Sequence, residues 1–429
     1  MQALRHPRSL HYAWIMAAVT FVILLGASGF RSAPSVLIVP LQDDFGWSRA
    51  TISIAISINL LLFGLMGPFA AALMDRFGIR TVVTAALFAI ATGAALTTFM
   101  SQPWQLYLLW GVTVGLGTGA MATVLAATVA TRWFVARRGL VIGVLTAASA
   151  TGQLGFLPLF AWLATHFGWR SVSIAVAIAT LAVVPLAVIF LRDRPASIGL
   201  LPYGAVSTAE VSGPRENPVR TAIRTLREAS SSRAFWLLAL TFFICGATTN
   251  GLIGTHLIPA SVDHGMSEIA AARLLALIGI FDIVGTTASG WLTDRYDPRK
   301  LLFAYYGLRG MSLLILPWAL GSRHVTLLAF VVVYGLDWVA TVPPTVALAG
   351  KEFGAAKAPL VFGWVFTAHQ IGAACAAYAA GLSRTIMGDY VFVFNAAAML
   401  CMIAALAALR IGMPSLLPGG APQPQGAGD

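Results

Sequence analysis

The stretch Asp75-Arg76-Phe77-Gly78-Ile79-Arg80 is a short polar island between two long apolar runs. A second island is set in the same way and reads Gly290-Trp291-Leu292-Thr293-Asp294-Arg295-Tyr296-Asp297-Pro298-Arg299-Lys300. The two Asp-Arg pairs lie 294 − 75 = 219 residues apart, about half of the 429-residue chain. A polar signature that recurs at half the chain length predicts two equivalent halves.

Composition places the chain in a membrane. Hydrophobic residues make up 58% and charged residues 10%, against roughly 45–50% and 25% in soluble domains. The net charge of +11 is spread between apolar runs and does not form one solvated patch, so no nucleic-acid partner is expected. The three cysteines lie in apolar runs without paired spacing and predict neither a disulfide framework nor a metal site.

Apolar windows of about 20 residues, the length that crosses a bilayer as a helix, recur along the chain. Six are predicted in the first half, at 12–38, 50–73, 80–100, 104–131, 139–164 and 170–191. Six more follow at 234–260, 268–293, 300–320, 324–349, 358–382 and 388–410. The expected fold is therefore an all-α integral membrane protein with twelve transmembrane helices in two six-helix halves.

The domain boundaries follow from these windows. Residues 1–191 are expected to form the N-terminal half and residues 234–410 the C-terminal half. Residues 192–233 are hydrophilic and predict a cytoplasmic linker with a short amphipathic helix around Val219 to Glu228. Residues 411–429 are rich in Pro, Gly and Gln and predict a disordered tail.

Lys and Arg predict the orientation, because they are retained on the cytoplasmic side. Of the 27 Lys and Arg residues, two lie inside predicted spans, and five lie on one side of the membrane: Arg49, Arg170, Arg273, Arg323 and Arg384. The other twenty lie on the opposite side, together with both termini, the linker and both polar islands. We therefore expect a multi-pass protein of the inner (cytoplasmic) membrane with both termini in the cytoplasm.

The paired islands carry a resemblance to a known family. Twelve helices in six plus six, with a G-x-x-x-D-R-x-G-x-R-type loop after the second helix of each half, resemble the major facilitator superfamily. Both copies depart from that motif: Ala71 stands where the first Gly is usual, and Asp297 replaces the later Gly of the second copy. The resemblance implies a transporter that works by alternating access.

A second signature resembles one branch of that family. Arg132-Trp133-Phe134-Val135-Ala136-Arg137-Arg138-Gly139-Leu140 is similar to a segment of monocarboxylate porters and oxalate/formate antiporters, as is Asp43-Asp44-Phe45-Gly46-Trp47-Ser48. The Gly-Pro-rich fifth-helix motif of drug/proton antiporters is replaced here by Gly152-Gln153-Leu154-Gly155-Phe156-Leu157-Pro158. This difference disfavours drug export.

Polar side chains inside the spans are candidates for the binding site, because an ionisable group in the bilayer is costly and is usually functional. In the resembled family, helices 1, 4, 7 and 10 line a central cavity, with helices 2, 5, 8 and 11 beside them. The resemblance therefore implies substrate contacts from Arg31, Asn250, His256, Asp337 and His369. It implies proton coupling through Asp282.

Arg31, predicted in the outer part of helix 1, suits a carboxylate, which a guanidinium binds through two hydrogen bonds. Asp282 falls at the position of the eighth-helix acidic residue of the monocarboxylate porters and suits uptake and release of a proton. The alternatives are an Arg31 that reaches to the membrane surface and an Asp282 in a static ion pair.

Thr286 departs from the resembled branch, whose eukaryotic porters carry an Arg one helical turn after the acidic residue. Either Arg31 or Arg309 compensates, or the substrate is not a simple lactate-like anion. Arg309 can instead pair with Asp282 across adjacent helices.

Two backbone features also carry predictions. The pair Pro343-Pro344 is expected to bend or break helix 10. Gly111, Gly115 and Gly119 on helix 4, and Gly139 and Gly143 on helix 5, are expected to let helices approach closely.

The charges of the cytoplasmic loops predict a reversible latch between the halves. Asp75 is expected to attract a helix N-terminus of the other half, and Arg76 and Arg80 to bind acidic groups or lipid headgroups. The full gating set is Asp75, Arg76, Arg80, Arg132, Arg137, Arg138, Asp294 and Arg295. The alternative is that these charges only set the topology.

Together these observations predict a proton-coupled secondary transporter of a small organic anion, a monocarboxylate, acting as a monomer without cofactor or metal ion. The alternatives are a proton-antiport exporter of another solute or drug, and a membrane sensor that transports nothing. The sequence has no phosphate-binding loop for ATP, and no nucleophile-base constellation that would indicate an enzyme.

Overall fold

The computed structural model describes residues 11–121, 123–205, 218–321, 324–354 and 357–412. Part of the predicted linker and the predicted tail after residue 412 therefore lie outside the described residues, as does the side chain of Arg138. Ile411, predicted as the first residue of the disordered tail, is instead buried. The described part is almost entirely helical, and a single isolated bridge within it joins Phe134 to Tyr203.

Twelve spans follow one another along the chain, as expected. Spans 1 to 6 are Tyr12–Phe45, Arg49–Phe77, Ile79–Thr97, Pro103–Trp133, Arg138–Gly155 with Leu157–Phe167, and Trp169–Phe190. Spans 7 to 12 are Arg233–Asp263, Glu268–Thr293, Pro298–Gly321, His324–Asp337 with Val342–Phe353, Ala358–Met387, and Val391–Ala408. In the described residues, eleven stretches are each long and apolar enough to cross a bilayer, and the two helices of span 5 make the twelfth.

Span 1 is longer than the sequence predicted. It runs for 34 residues to Phe45, about 51 Å at the rise of an α-helix, and a bilayer core is only about 30 Å thick. Arg31 consequently lies near the middle of the helix, which corrects its predicted place in the outer part. Beyond Phe45 the chain turns at Gly46, and the Ser48 side chain accepts a hydrogen bond from the Thr51 N–H at the start of span 2.

Span 10 is broken, as its double proline predicted. Its first helix ends at Asp337 and its second begins at Val342. Pro343 and Pro344 fall in the first turn of the second helix, where a missing N–H costs no intrahelical hydrogen bond. The break leaves residues 338–341 as a turn inside the protein.

The glycines of span 4 pack against span 2, as expected. A Cβ added to Gly115 would lie 3.0 Å from Cα of Asn59, and one added to Gly119 would lie 3.0 Å from Cα of Phe63. Among the described residues, no atom lies within 4 Å of a Cβ built at Gly143, so the close approach predicted there is not seen. The surroundings of Gly139 lie outside the described part of the structure.

Spans 2 and 11 form the main contact between the two halves. Ser57 Oγ donates to the Ala374 carbonyl at 2.8 Å, and Thr367 Oγ1 donates to the Gly64 carbonyl at 3.3 Å. The predicted amphipathic helix is present as Pro218–Ala229, here termed the linker helix. It lies at one end of the bundle, termed the linker face, and the opposite end is termed the far face.

Candidate functional site

A small cavity of about 30 Å³ lies between the two halves. It is bounded by spans 1, 2, 5, 7 and 8, and its lining residues are Arg31, Pro34, Ser35, Ile56, Asn59, Leu60, Leu157, Asn250, Gly254, Thr255 and Leu275. A volume of this size holds about one water molecule. The structure therefore represents a conformation in which this site is closed to an organic solute.

Arg31 is the one charged residue among the described residues that line the cavity. Its guanidinium carbon lies 4.2 Å from the centroid of the Phe63 ring, within the range of a cation–π contact. The ring thus fixes the direction of a side chain that is only partly buried. This arrangement presents a positive charge at the boundary between the halves.

Asn250 reaches the same cavity from span 7. It lies in a stretch of wide, π-helical turns, Ala247–Ile253, and such turns inside α-helices are frequent at functional sites. Thr255 Oγ1 donates to the Asn250 carbonyl at 2.8 Å, which satisfies one of the backbone groups that the wide turns displace. The cavity therefore combines one cation with amide and hydroxyl groups.

Asp282 on span 8 contacts the break in span 10. Its Oδ1 accepts a hydrogen bond from Thr286 Oγ1 at 2.7 Å and another from the Val339 N–H at 2.9 Å. Asp282 is 4% exposed. A carboxylate that the sequence marked as a proton site is thus bonded to the backbone of a broken helix.

Two further side chains bind the carbonyls of the same break. Arg309 Nη2 donates to the carbonyls of Asp337 and Trp338 at 2.6 and 3.2 Å, and Ser289 Oγ donates to the Ala340 carbonyl at 2.6 Å. Backbone groups without partners are costly at membrane depth. Asp282, Ser289 and Arg309, here termed the span 10 brace, satisfy the groups that the break releases.

Arg309 forms a buried ion pair with Asp337, not with Asp282. Arg309 Nε lies 2.5 Å from Asp337 Oδ2, and the two side chains are 0% and 5% exposed. Asp337, expected to contact substrate, is held in this pair inside the C-terminal half. The proposed pairing of Arg309 with Asp282 is wrong, because each of the two has its own hydrogen-bond partners.

His256 also departs from its predicted role as a substrate contact. The ring is fully buried, and its Nε2 lies 2.8 Å from the Ala377 carbonyl, so Nε2 carries the proton and donates. Its Nδ1 then accepts from the Tyr390 hydroxyl at 3.2 Å. With both nitrogens occupied, His256 joins spans 7 and 11 to the start of span 12 and does not line the cavity.

His369 is buried on span 11 between two aromatic rings. Its ring centroid lies 5.5 Å from that of Phe366 and 4.9 Å from that of Phe242. Among the described residues, its Nδ1 and the side-chain amide of the adjacent Gln370 have no hydrogen-bond partner. Gln370 packs directly against Gly64 of span 2, so its side chain lies where the two halves meet, whereas His369 packs against Gly246 of span 7 within the C-terminal half.

A cluster at the far face also joins the halves, and the sequence did not predict it. Arg49 Nη1 and Nη2 donate to the two Asp263 carboxylate oxygens at 2.6 and 2.7 Å, and Arg384 Nε donates to the same carboxylate at 2.8 Å. Arg49 also donates to the Tyr390 hydroxyl at 2.9 Å. From the sequence, Arg49 and Arg384 were expected only to set the topology, because the ends of spans 2, 7 and 11 come together only in the fold.

The first polar island is fastened within its own half. Arg132 Nη2 lies 2.5 Å from Asp75 Oδ1, and Arg132 Nη1 donates to the Asp193 carbonyl at 3.4 Å. The Arg80 N–H donates to Asp193 Oδ1 at 3.3 Å, and the Arg76 guanidinium lies over the Phe77 ring. The predicted partner of Asp75, a helix N-terminus of the other half, is therefore wrong in this conformation.

The second island bonds to itself. Arg295 lies over the Trp291 ring at 4.1 Å, and Asp294 follows the last residue of span 8. Arg299 donates to Asp297 at 2.8 Å, and its hydrogen bonds lower the pKa of the Asp297 carboxyl.

In the loop between spans 4 and 5, Arg137 has a positive φ of 63°, a conformation unusual for a residue with a side chain.

Comparison with known proteins gives the family. The model of the Major Facilitator Superfamily matches residues 16–377. The uncharacterized MFS-type transporter YcxA of Bacillus subtilis is 25% identical over 395 residues, covering 89% of this chain and 90% of its own. Monocarboxylate transporter 13 of Bos taurus is 26% identical, with 88% and 84% covered. The gallate transporter of Pseudomonas putida is 29% identical, with 71% of each chain covered.

A solved structure agrees with this result at the level of the fold. The D-xylose-proton symporter superposes with a TM-score of 0.72 at 13% identity, covering 94% of this chain and 98% of its own. The resemblance to the monocarboxylate branch is borne out by the named relatives. Members of the family are transporters and not enzymes. The chain belongs to the major facilitator superfamily and has its twelve-helix fold.

Proposed function

We propose that this transporter carries a small monocarboxylate together with a proton. The observation that supports the proposal most directly is Arg31, the charged residue of the cavity, which lies beside the amides of Asn59 and Asn250. One guanidinium binds one carboxylate through two hydrogen bonds, while Ile56 and Leu60 offer an apolar wall to the rest of the solute. Relatives named for monocarboxylates and for gallate favour a carboxylate substrate.

The two halves, residues 1–191 and 234–410, move against each other in this proposal. The cluster of Arg49, Asp263 and Arg384 then acts as the far-face gate, because it bonds the end of span 2 to the ends of spans 7 and 11. When that gate opens, the contact between spans 2 and 11 loosens as well. His369 and Gln370 then become accessible to the solute.

Asp282 couples the proton to this movement. An ionised Asp282 is a strong acceptor for the Val339 N–H, and a proton on the carboxyl weakens that bond. The charged groups nearest to it on the neighbouring spans are Arg309 and Asp337, which are already paired with each other. Proton binding at Asp282 therefore acts on the break in span 10 and not on a second ion pair.

The orientation in the membrane follows the Lys and Arg distribution. We place the linker face in the cytoplasm, with both termini, and the protein in the inner membrane as a monomer. The island charges Asp75, Arg76, Arg80, Arg132, Arg137, Arg138, Asp294 and Arg295 then belong to the cytoplasmic gate.

Counterflow in proteoliposomes tests the substrate. Vesicles preloaded with each of a panel of carboxylates are assayed for uptake of the labelled solute at two pH values. We expect exchange of at least one monocarboxylate, faster at the lower pH. If no carboxylate exchanges, and collapse of the pH gradient changes nothing, the proposal is wrong.

Two matched pairs of variants test the residues. Arg31→Ala is expected to raise the half-saturating concentration of the carboxylate more than Arg31→Lys, which keeps the charge but loses the paired hydrogen bonds.

Asp282→Asn keeps an acceptor for the Val339 N–H and is expected to abolish pH-driven uptake while sparing exchange, whereas Asp282→Glu is expected to retain some coupling. Unchanged affinity in Arg31→Ala, or pH-driven uptake in Asp282→Asn, would remove the residue from its role.

A further inference from the structure

The linker helix lies across the linker face and contacts both halves. It packs against span 2 of the first half and span 11 of the second. Its buried face consists of Ala222, Thr225 and Ala229. Trp364 Nε1 of span 11 donates to the Ala222 carbonyl at 3.0 Å, which fixes the helix at the surface of the bundle.

The opposite face of the linker helix is basic and exposed. Arg220, Ile223, Arg224 and Arg227 are spaced i, i+3, i+4 and i+7 and therefore share one side. Ile223 is 54% exposed. Glu228 is engaged by Lys357 of the loop before span 11, at 2.8 Å, and this hydrogen bond lowers the pKa of Glu228. Arg224 Nε lies 3.9 Å from the other Glu228 carboxylate oxygen, so the face combines three cations, one of them shared with Glu228, with one apolar side chain.

Neighbouring tryptophans mark the depth of this helix. Trp236, at the start of span 7, is 60% exposed, and its Nε1 donates to the carbonyl of Ser230, which directly follows the linker helix. Trp291, at the linker-face end of span 8, is 55% exposed. Tryptophan is enriched where the membrane meets water. The basic face therefore lies at the level of the lipid headgroups.

From this placement we infer that the linker helix binds anionic phospholipid headgroups. Arg220, Arg224 and Arg227 contact the phosphates, while Ile223 enters the boundary with the acyl chains, as in other basic amphipathic helices that lie in the membrane plane. The helix packs on one span of each half, so the bound lipid holds the meeting point of the halves at the membrane surface. This inference does not depend on which solute is transported.

Native mass spectrometry of the full-length protein tests the inference. The detergent-solubilised protein is titrated with dioleoyl phosphatidylglycerol or with dioleoyl phosphatidylcholine, and the bound lipid is counted. We expect the anionic lipid to bind more tightly than the zwitterionic one. The double variant Arg220→Gln/Arg227→Gln is expected to lose about fivefold in affinity for phosphatidylglycerol per arginine removed, and nothing for phosphatidylcholine.

Arg410→Gln is the matched control. Arg410 is exposed beside Arg233 at the linker face but lies outside the linker helix, so Arg410→Gln removes one positive charge from the same face, as each of the two substitutions in the double variant does. Equal affinity of the wild-type protein and the double variant would overturn the inference. An equal loss of affinity per arginine removed in Arg410→Gln would also overturn it, because the effect would then report net charge and not this helix.

A second measurement locates the helix directly in vesicles. An environment-sensitive fluorophore is attached to Ile223→Cys in a Cys375→Ser background, because Cys375 is the exposed native cysteine in the described part of the chain. We expect its emission to shift to the blue in vesicles that contain phosphatidylglycerol, and high salt to reverse the shift. Emission typical of water in those vesicles would contradict lipid contact and favour an acidic protein partner for this face.

Discussion

The two halves have the same number of spans but different interiors. In the N-terminal half, span 4 packs through glycines against span 2, and Arg31 is directed at the cavity. In the C-terminal half, the Arg309–Asp337 ion pair is sealed inside, next to a broken helix. The N-terminal half is therefore suited to hold a charged solute at the boundary, and the C-terminal half to change shape.

This difference has a physical origin in the cost of polar groups within a bilayer. Close glycine packing releases no backbone N–H or C=O group, so it needs no polar partner of this kind. A broken helix exposes N–H and C=O groups that must find partners inside the protein. The span 10 brace supplies them, and within it the Asp282 carboxylate accepts a hydrogen bond from the Val339 N–H of the break.

The buried ion pair offers the strongest test of this contrast. Arg309→Met or Asp337→Leu alone leaves a charge buried without its partner, and each is expected to destabilise the protein by about 3–5 kcal/mol. The double variant is expected to regain only part of this loss: no unpaired charge remains, but the carbonyls of Asp337 and Trp338 still lack the donor that Arg309 supplies. Thermal unfolding of the purified protein in detergent measures all three. Single variants that melt like the wild-type protein would show that the pair does not stabilise the C-terminal half.

The glycine packing of the N-terminal half is tested by one substitution at two sites. Gly119→Ala places a methyl group 2.9 Å from Cβ of Met66 and 3.0 Å from Cα of Phe63, and overpacking of this kind costs about 1–3 kcal/mol. Gly143→Ala, in the same half, meets open space and is expected to be neutral or slightly stabilising. Melting temperatures that fall equally in both variants would argue against close packing at Gly119 as the cause.

The smallest expected effect on stability concerns the span 10 brace. Ser289→Ala removes the donor to the Ala340 carbonyl and is expected to cost about 1 kcal/mol, the net contribution of one such hydrogen bond. Thr287→Ala is its control, because the Thr287 hydroxyl donates to the Ile283 carbonyl within its own helix and the residue is exposed. The melting temperatures of the two variants are compared directly. A larger loss in Thr287→Ala would contradict the role of Ser289.

The candidate site could be predicted only in part. Arg31, Asn250 and Asp282 were identified because polar residues in apolar spans are rare, and the structure places the first two at the cavity and the third at the break in span 10. Asp337 and His256 are also polar residues in apolar spans, but Asp337 is paired with Arg309 and His256 is hydrogen-bonded to the Ala377 carbonyl, both away from the cavity. The sequence shows that a polar residue lies in a span, but it does not show which other helices that side of the span packs against.

The sequence by itself determined the membrane class, the twelve spans, the break at Pro343-Pro344 and the linker helix. Each of these depends on local composition or on a backbone restriction that a single stretch of chain carries. Only the tertiary structure decided that Arg309 pairs with Asp337, that Arg49 meets Asp263 at the far face, and that Asp75 binds Arg132 of its own half. These pairs join residues 28, 214 and 57 positions apart, and their geometry exists only once the helices have packed.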